Sequence, residues 1–329
     1  MGAPTGRLAG LCVVFVCSWP LAALAQRGDD AHVARLIEQL RSRDAEARGE
    51  AARDLTALGH DAAPAVPALA EALADESPDV RERAALALAA IGEAAAPAVP
   101  ALVECLRHAE ASTRWSAALA LSLVGVGAEQ AVPALVECLG DRESVVRHWA
   151  AEALGAVGEA GAPAIPALRE CLTDDDPSVR GSAASALGSL GDTGASTVLV
   201  ELLADDDPSV RGSAAGALGE LRDTAAAPAL VERLADGDAW VRVRAAGALL
   251  QLNRDRVLAV SALVGSLGDA EPLLRVTAIF ALLDAGEAAA PAVPALVGCL
   301  DDDDALVRQM AAYALEGIRG PAQHDDQPR

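Results

Sequence analysis

Runs of consecutive aspartates are the groups in this sequence that most clearly could bind a metal. They occupy residues 174–176, 205–207 and 301–304. Carboxylate oxygens are the ligands that Ca²⁺ prefers, so three or four in one loop could hold a cation. The runs lack the spaced Asp-x-Asp-x-Asp-Gly layout of a dedicated calcium loop. We expect them to cap helices and to keep one edge of the protein solvated, and we predict no metal site.

Cysteine and histidine are the other residue types that could carry catalysis. Cys105, Cys138 and Cys171 are spaced by 33 residues, each in a Glu-Cys-Leu context, and Cys299 follows later. Equivalent positions on stacked helices lie roughly 8–10 Å apart, too far for a disulfide, so we predict buried, reduced thiols. The five histidines form neither an HExxH motif nor a His-Glu pair. We predict no catalytic residue and no cofactor.

Charge narrows the range of partners. The chain has 26 Lys+Arg against 48 Asp+Glu, a net charge of -22, and every cation is an arginine. Phosphate contact needs a basic surface, so we predict no nucleic-acid partner. An acidic surface favours a protein or peptide partner that is basic.

The first 25 residues have the three-part layout of a secretory signal peptide. Arg7 precedes an uncharged apolar run, and Ala23 and Ala25 supply the small residues of a cleavage site. We predict cleavage after Ala25, a periplasmic or secreted protein, and no membrane contact thereafter. The alternative is an inner-membrane anchor that stays uncleaved, since about 18 apolar residues can barely span a bilayer.

An arginine followed by an apolar stripe recurs along the rest of the chain. Successive arginines are 33, 33, 33, 33, 31, 31, 33 and 33 residues apart. A fixed period of this length is the signature of a repeat architecture. About nine units fill a domain over residues 26–320, followed by a tail (321–329) that we expect to be disordered. The arginines are Arg48, Arg81, Arg114, Arg147, Arg180, Arg211, Arg242, Arg275 and Arg308.

Each unit contains two predicted helices, as residues 162–191 illustrate. Residues 162–172 have apolar side chains at helical spacing. Asp176 is placed to cap the second helix, with Pro177 at its first position. Gly191 ends that helix, because glycine adopts a positive φ readily. One pair cannot bury its apolar face alone, so the pattern predicts an all-α solenoid of about nine stacked helix-turn-helix repeats.

Three repeated positions resemble those of HEAT-repeat proteins, and more closely the short, alanine-rich bilin-lyase-like (PBS lyase) subclass. They are a proline fourteen residues before the arginine, an aspartate six residues before it, and the Val-Arg pair itself. The resemblance covers about residues 30–319 and departs from the pattern at Ser42, His108, Thr197 and Ser261. It implies an α/α superhelix, similar to armadillo-type folds, in which aspartates and arginines form a structural ladder.

We interpret that ladder as structural. An arginine in the first turn of a helix opposes the helix dipole, so it needs a nearby carboxylate, and we expect the aspartate six residues before it to supply one. The predicted ladder consists of Asp75, Arg81, Asp141, Arg147, Asp174, Arg180, Asp205, Arg211, Asp236, Arg242, Asp269, Arg275, Asp302 and Arg308.

The resemblance also implies that the second helices line a concave surface. The positions one, two and five residues after each ladder arginine fall outside the predicted buried stripe. They include a stretch of small residues, namely Ser116, Gly181, Ser182, Ser185, Gly212, Ser213 and Gly216, and later Val243, Val276, Gln309 and Met310. Exposed aromatics and arginines are common at interfaces. We predict partner binding through Glu82, Arg83, Trp115, His148, Trp149, Arg244, Phe280 and Tyr313.

Two alternatives stay open. The tryptophans could instead fill space between units, and Trp240, which stands at a turn, is expected to pack locally. The favoured function is an exported, non-enzymatic scaffold for a protein or peptide. The resemblance also implies a bilin-lyase-like enzyme or lyase subunit acting on a linear tetrapyrrole, against which the export signal and the lack of a catalytic constellation argue.

Overall fold

The computed structural model describes residues 30–319, which divide into two compact units, one ending at Asp192 and the other beginning at Thr193. All regular secondary structure within these residues is helical. The eighteen α-helices described there form nine consecutive pairs, which confirms the predicted all-α solenoid of helical repeats. The predicted signal peptide and the predicted tail lie outside the described residues.

The first unit contains five helix pairs. Short 3-10 helices connect most pairs to the next, at Gly59–Ala65, Gly92–Ala98, Gly125–Ala131 and Gly158–Ala164. The α-helices are α1 (Asp30–Gln39), α2 (Ala45–Leu58), α3 (Val66–Ala72), α4 (Pro78–Ile91), α5 (Val99–Cys105), α6 (Ala111–Val124), α7 (Val132–Cys138), α8 (Ser144–Ala156), α9 (Ile165–Cys171) and α10 (Pro177–Ser189).

The second unit contains four pairs. Its 3-10 helices are Thr193–Ala195, Thr224–Ala226, Gly286–Ala292 and Cys299–Asp301. The α-helices are α11 (Ser196–Leu202), α12 (Pro208–Glu220), α13 (Ala227–Arg233), α14 (Ala239–Gln251), α15 (Arg256–Ser266), α16 (Pro272–Asp284), α17 (Val293–Gly298) and α18 (Ala305–Arg319).

The first helix of a pair is shorter than the sequence predicts. The expected helix over residues 162–172 begins only at Ile165, and a 3-10 segment precedes it. Pro163 and Pro166 explain the difference, because neither has an N–H to donate to a preceding turn. Proline is instead accommodated in the first turn, as it is in α3, α5 and α7.

The second helix of a pair begins and ends as predicted. The Asp176 carboxylate accepts the backbone N–H of Ser178 at the start of α10. Gly191 follows the helix with φ +73°, a conformation that glycine adopts without steric cost. The same position has a positive φ in Gly59, Gly92, Gly125, Gly158 and Gly286.

The two 31-residue steps have a shortened connection. Where most 33-residue units use a seven-residue 3-10 helix, these units use the three-residue segments Thr193–Ala195 and Thr224–Ala226. Gly191 is kept before the first segment, whereas Arg222 (φ 54°) replaces glycine before the second. Asn253 (φ 56°) replaces it before α15, which follows α14 without a 3-10 helix. The positive φ at the end of the second helix is therefore kept even where glycine is replaced.

The core lies between second helices that pack side by side within each unit. In the first unit α2, α4, α6, α8 and α10 contact one another in sequence, and in the second α12, α14, α16 and α18 do so. One fully buried leucine per repeat forms a row, Leu55, Leu88, Leu121, Leu154 and Leu187 in the first unit. Small alanines beside them allow the close approach of the helices.

Two stretches, Pro78–Cys105 and Ala111–Cys138, are long and apolar enough to cross a membrane by length and composition. Each consists of a second helix, a 3-10 segment and the first helix of the next pair. Their apolar residues contribute to the rows that fill the core, such as Leu88 and Leu102 in one stretch and Leu121 and Leu135 in the other.

Candidate functional site

Every ladder arginine binds the backbone of its own repeat. In all nine repeats of the described chain, Nη1 donates to the carbonyl oxygen six residues earlier, at 2.6–2.9 Å. In Arg147 this acceptor is the Asp141 carbonyl, at 2.8 Å. These bonds satisfy carbonyls in the turn between the two helices of a pair.

The carboxylate partner comes from the next repeat, so the predicted partner was wrong. Arg147 donates from Nε and Nη2 to the Asp174 carboxylate, at 2.7 Å each, and Asp174 is 27 residues later in the chain. The aspartate six residues earlier turns its carboxylate away from the arginine, to the previous repeat. Equivalent pairs at 2.6–2.9 Å are Arg48–Asp75, Arg114–Asp141, Arg211–Asp236 and Arg275–Asp302.

Each paired carboxylate also shapes its own turn. Asp174 Oδ1 accepts the backbone N–H of Asp176 at 2.9 Å, and Asp75 accepts that of Ser77. The Arg147 guanidinium beside Asp174 lowers the pKa of that carboxyl, against the opposing effect of burial. In the same way, Arg211 lowers the pKa of Asp236 and Arg275 lowers that of Asp302. These groups are engaged in holding repeats together and offer little to a ligand.

His108 stands where the third unit should have its aspartate, and the ladder continues through another residue. Arg81 pairs with the Glu110 carboxylate, two residues after His108. His108 Nδ1 accepts the backbone N–H of Glu110 at 3.1 Å. The histidine therefore shapes the turn while the glutamate supplies the charge.

The eight residues predicted to bind a partner are all at least partly exposed on the second helices. Five of them lie in the first unit and three in the second. Other positions of the predicted surface are buried, so those expectations were wrong: Ser116, Gly181, Ser182, Gly212, Val243 and Val276.

The cause of that burial is a fixed contact between neighbouring second helices. The residue after a ladder arginine meets the residue two after the next ladder arginine. A Cβ added to Gly49 would lie 3.7 Å from Arg83 Cδ, and one added to Gly212 would lie 3.8 Å from Arg244 Cγ. His148 and Ser182 form the same pair. Small side chains at these positions are covered by the adjacent helix.

Aromatic side chains at these positions are too large to be covered, and they collect in the first unit. Trp115 on α6 and His148 and Trp149 on α8 are half-buried. The His148 and Trp149 rings meet edge to face, with centroids 4.7 Å apart and an interplanar angle of 69°. We define these three residues as the aromatic cluster.

The His148–Ser182 contact raises the question of nucleophilic catalysis. Ser182 Oγ lies 2.6 Å from His148 Nδ1, which also lies 3.3 Å from the Ser178 carbonyl oxygen. A working nucleophile needs access to substrate and a third group that orients the base. Ser182 is only 4% exposed, and no carboxylate within the described chain bonds His148. The pair therefore fixes the orientation of the imidazole and lacks the features of a catalytic pair.

In the second unit the predicted residues are spread along α14, α16 and α18. Tyr313 is 59% exposed, whereas Phe280 and Arg244 are half-buried. Trp240 was expected to pack locally, but its Nε1 donates to Glu271 Oε2 of the next repeat, at 3.2 Å.

The cysteines behave as small apolar residues. Cys105, Cys138, Cys171 and Cys299 are buried and free, as the spacing predicts. Burial raises the pKa of the Cys105 thiol to about 11, and those of Cys138 and Cys171 likewise. Among the described residues no cluster of His, Cys, Asp and Glu could hold a metal ion.

One irregular surface was missed by sequence reasoning. Val257 is 84% exposed at the start of α15, beside Asp255 with φ 44°. The missing proline at Ser261 and the charged connection before α15 are the signals that could have found it. A shallow depression of about 490 Å³ lies nearby, lined by Thr224, Ala227, Pro228, Val231, Arg254 and Asp255.

Comparison with known families and structures supports the repeat assignment. A model described as HEAT repeats matches residues 33–122, 99–188, 165–251, 196–270 and 260–326. No curated protein matches the chain.

Among solved structures, an engineered protein is 26% identical, with a TM-score of 0.53 and coverage of 96% of this chain and 95% of that one. The complex of CpcE and CpcF of phycocyanin lyase from Nostoc sp. PCC7120 is 28% identical over 74% of this chain and 98% of that one, with a TM-score of 0.51. The karyopherin Kap121p bound to the SUMO protease Ulp1p is 16% identical over 89% of this chain and 42% of that one, with a TM-score of 0.46.

Proposed function

Because the chain belongs to the HEAT-repeat family, we propose that it is an exported, non-enzymatic scaffold that binds a protein or peptide partner on its second helices. The aromatic cluster is the observation that carries this proposal. A helical solenoid offers an extended surface, and Trp115, His148 and Trp149 place aromatic rings on it where the fifth and sixth repeats carry only glycine and serine. In the second unit, the partly exposed Arg244, Phe280 and Tyr313 would provide a contact surface of their own.

The absence of competing chemistry within the described chain supports a binding role. Most ladder arginines are paired with a carboxylate of the next repeat, the thiols are buried, and Ser182 is covered. Half-exposed tryptophans are frequent anchors of protein interfaces because they bury a large area with few rotatable bonds. The excess of 48 acidic over 26 basic side chains favours a basic partner.

The test is an affinity pull-down from the exported fraction of the source organism with protein beginning at Gln26. Wild type is compared with the Trp115→Ala/Trp149→Ala double variant and with Trp240→Phe, a tryptophan change away from the cluster. We expect one partner to be retained by wild type and Trp240→Phe and lost by the double variant, with unchanged circular dichroism. Equal recovery by all three proteins would contradict the assignment of the site.

A bilin-lyase-like activity is the second candidate. The observation that favours it is the 28% identity to a chain of the phycocyanin lyase complex, of which this chain covers 98%. If it were correct, adding a linear tetrapyrrole would change the absorbance spectrum of the bilin on binding. We expect a spectrum equal to the sum of its components, and a shifted band would overturn the non-enzymatic assignment.

A further inference from the structure

We propose that the junction between α6 and α8 accepts the cationic side chain of an arginine or lysine carried by a partner protein. This inference rests on the proposed function and specifies it, because it assigns one kind of side chain to one place on the surface. Three observations support it: the repeat positions of the two tryptophans, the ion pairs that already hold the nearby arginines, and two carboxylates beside the cluster.

The register places the two indoles on either side of the junction. Trp115 directly follows its ladder arginine, and Trp149 is two residues after the next one. These are the positions that meet in Gly49–Arg83 and His148–Ser182. Within the described chain the two indoles form no ring–ring contact with each other. Both rings are partly exposed, so a side chain entering the junction meets aromatic surface from both helices.

The Trp149 ring is held before a ligand arrives. His148 packs edge-on against Trp149, and Ser182 holds His148 from the next helix. An ordered indole loses little conformational freedom on binding, which favours affinity.

No cation of the described chain already occupies these rings, although arginines are close in sequence. Arg114 and Arg147, which adjoin the two tryptophans, are bound to Asp141 and Asp174 at 2.7–2.9 Å. Arg83 on the neighbouring helix donates to Asp79 of its own helix, α4, and to the Gly49 carbonyl of α2. The protein therefore fixes its own cations elsewhere and leaves the aromatic surface for an external one.

Two carboxylates make the junction suit a cation better than an apolar side chain. Glu152 is three residues after Trp149 on α8, so the two side chains are neighbours on the helix surface. Glu82 on α4 has the same repeat position as Trp115, so the register places it against Ser116, the residue that follows Trp115 on α6. Both are partly exposed and form no ion pair within the described chain. A cation over an indole face is attracted by the ring quadrupole, and these carboxylates add to the attraction.

The experiment titrates the protein from Gln26 onward with a blocked peptide that carries two arginines, while tryptophan fluorescence and heat of binding are recorded. The control peptide has citrulline, a neutral isostere, at both places. We expect the arginine peptide to bind and the citrulline peptide to bind about tenfold more weakly. Trp115→Leu and Trp149→Leu should each weaken the arginine peptide several-fold, and Trp240→Phe should not.

A second pair of variants separates local from general electrostatics. Glu82→Gln/Glu152→Gln should weaken binding more than Glu104→Gln/Glu159→Gln, which removes the same charge from exposed sites on α5 and before α9. Equal affinity for both peptides, or equal losses in both double variants, would overturn the inference. Pull-down of a partner that depends on the cluster, together with no affinity for the arginine peptide, would overturn the inference while leaving the proposed function intact.

Discussion

The aspartate that recurs in most turns can perform two tasks, and the third unit separates them. Asp174 both accepts a backbone N–H two residues later and pairs with the arginine of the previous repeat. In the third unit His108 accepts the N–H and Glu110 pairs with Arg81. A sequence comparison of repeats shows His108 only as a lost aspartate, whereas the structure shows a substitution of two residues for one.

Glu110 should therefore matter more than its equivalent in the next unit. We expect Glu110→Gln to destabilise the protein by about 1–2 kcal/mol, because Arg81 is buried and loses a charged acceptor. Glu143→Gln changes the same repeat position, where the carboxylate pairs only with exposed Arg142, and should cost about 0.5 kcal/mol or less. Urea unfolding measures both.

A rescue makes that prediction specific. Adding His108→Asp to Glu110→Gln restores the usual aspartate, which should recover most of the lost stability. Equal effects of the two glutamate variants, or no recovery in the double variant, would show that Glu110 does not carry the ladder.

The ladder also predicts how stability depends on pH. Arg147 lowers the pKa of Asp174, Ser144 and Ser178 lower that of Asp176 to about 2, and Arg211 lowers that of Asp236. A carboxylate whose folded pKa is lowered adds stability above its unfolded pKa of about 4, and this is lost as pH falls through the folded value. The urea midpoint should therefore fall steeply below about pH 4. Asp174→Asn should be less stable at neutral pH, with a shallower acid dependence.

The pairing error shows what spacing can determine at this scale. An aspartate lies six residues before most ladder arginines, and the next aspartate of the series lies 27 or 25 residues after them, so both separations recur along the chain. The period identifies the residues of the ladder, as Asp141 and Arg147 illustrate. It cannot choose between a partner in the same turn and one in the next repeat, because that choice depends on how the repeats stack.

At the scale of helices, the glycine that ends most second helices was predictable. The sequence did not show that Arg222 and Asn253 would adopt the same backbone conformation. Arg222 and Asn253 keep the positive φ of Gly191 although their side chains disfavour it. The fold overrides the local preference because the chain must still reverse direction between α12 and α13 and between α14 and α15.

Arg222→Gly should consequently stabilise the protein. The left-handed conformation costs a residue with a side chain about 1–2 kcal/mol, part of which is offset by the entropy of glycine in the unfolded chain, so we expect a gain of about 0.5–1 kcal/mol. Gly191→Ala makes the converse change where no atom lies within 4 Å of the added Cβ, and should lower stability. Denaturant unfolding of both variants gives the comparison. A loss on Arg222→Gly would mean that the arginine side chain forms a stabilising contact.

For the whole molecule, the 33-residue period was sufficient to predict the architecture, since each repeat must bury its apolar face against the next. Large side chains on that frame were harder to interpret. The same register that covers Ser182 leaves Trp115 and Trp149 partly exposed, and only side-chain volume against the adjacent helix separates these outcomes. The repeat period also did not predict the exposure of Val257, because no other repeat has an equivalent of this irregular segment.

Export is the prediction that belongs to the whole chain, because it decides which partners the surface can meet. An apolar run that ends at small residues is cleaved by signal peptidase, so protein recovered from outside the cytoplasm should begin at Gln26 by N-terminal sequencing. Ala25→Leu places a larger residue at the cleavage position. We expect the leader to stay attached and the protein to be recovered in the membrane fraction. Ala9→Leu changes an equal volume within the apolar run and should be processed normally. Wild-type protein that keeps its leader in the membrane fraction would establish the anchor instead.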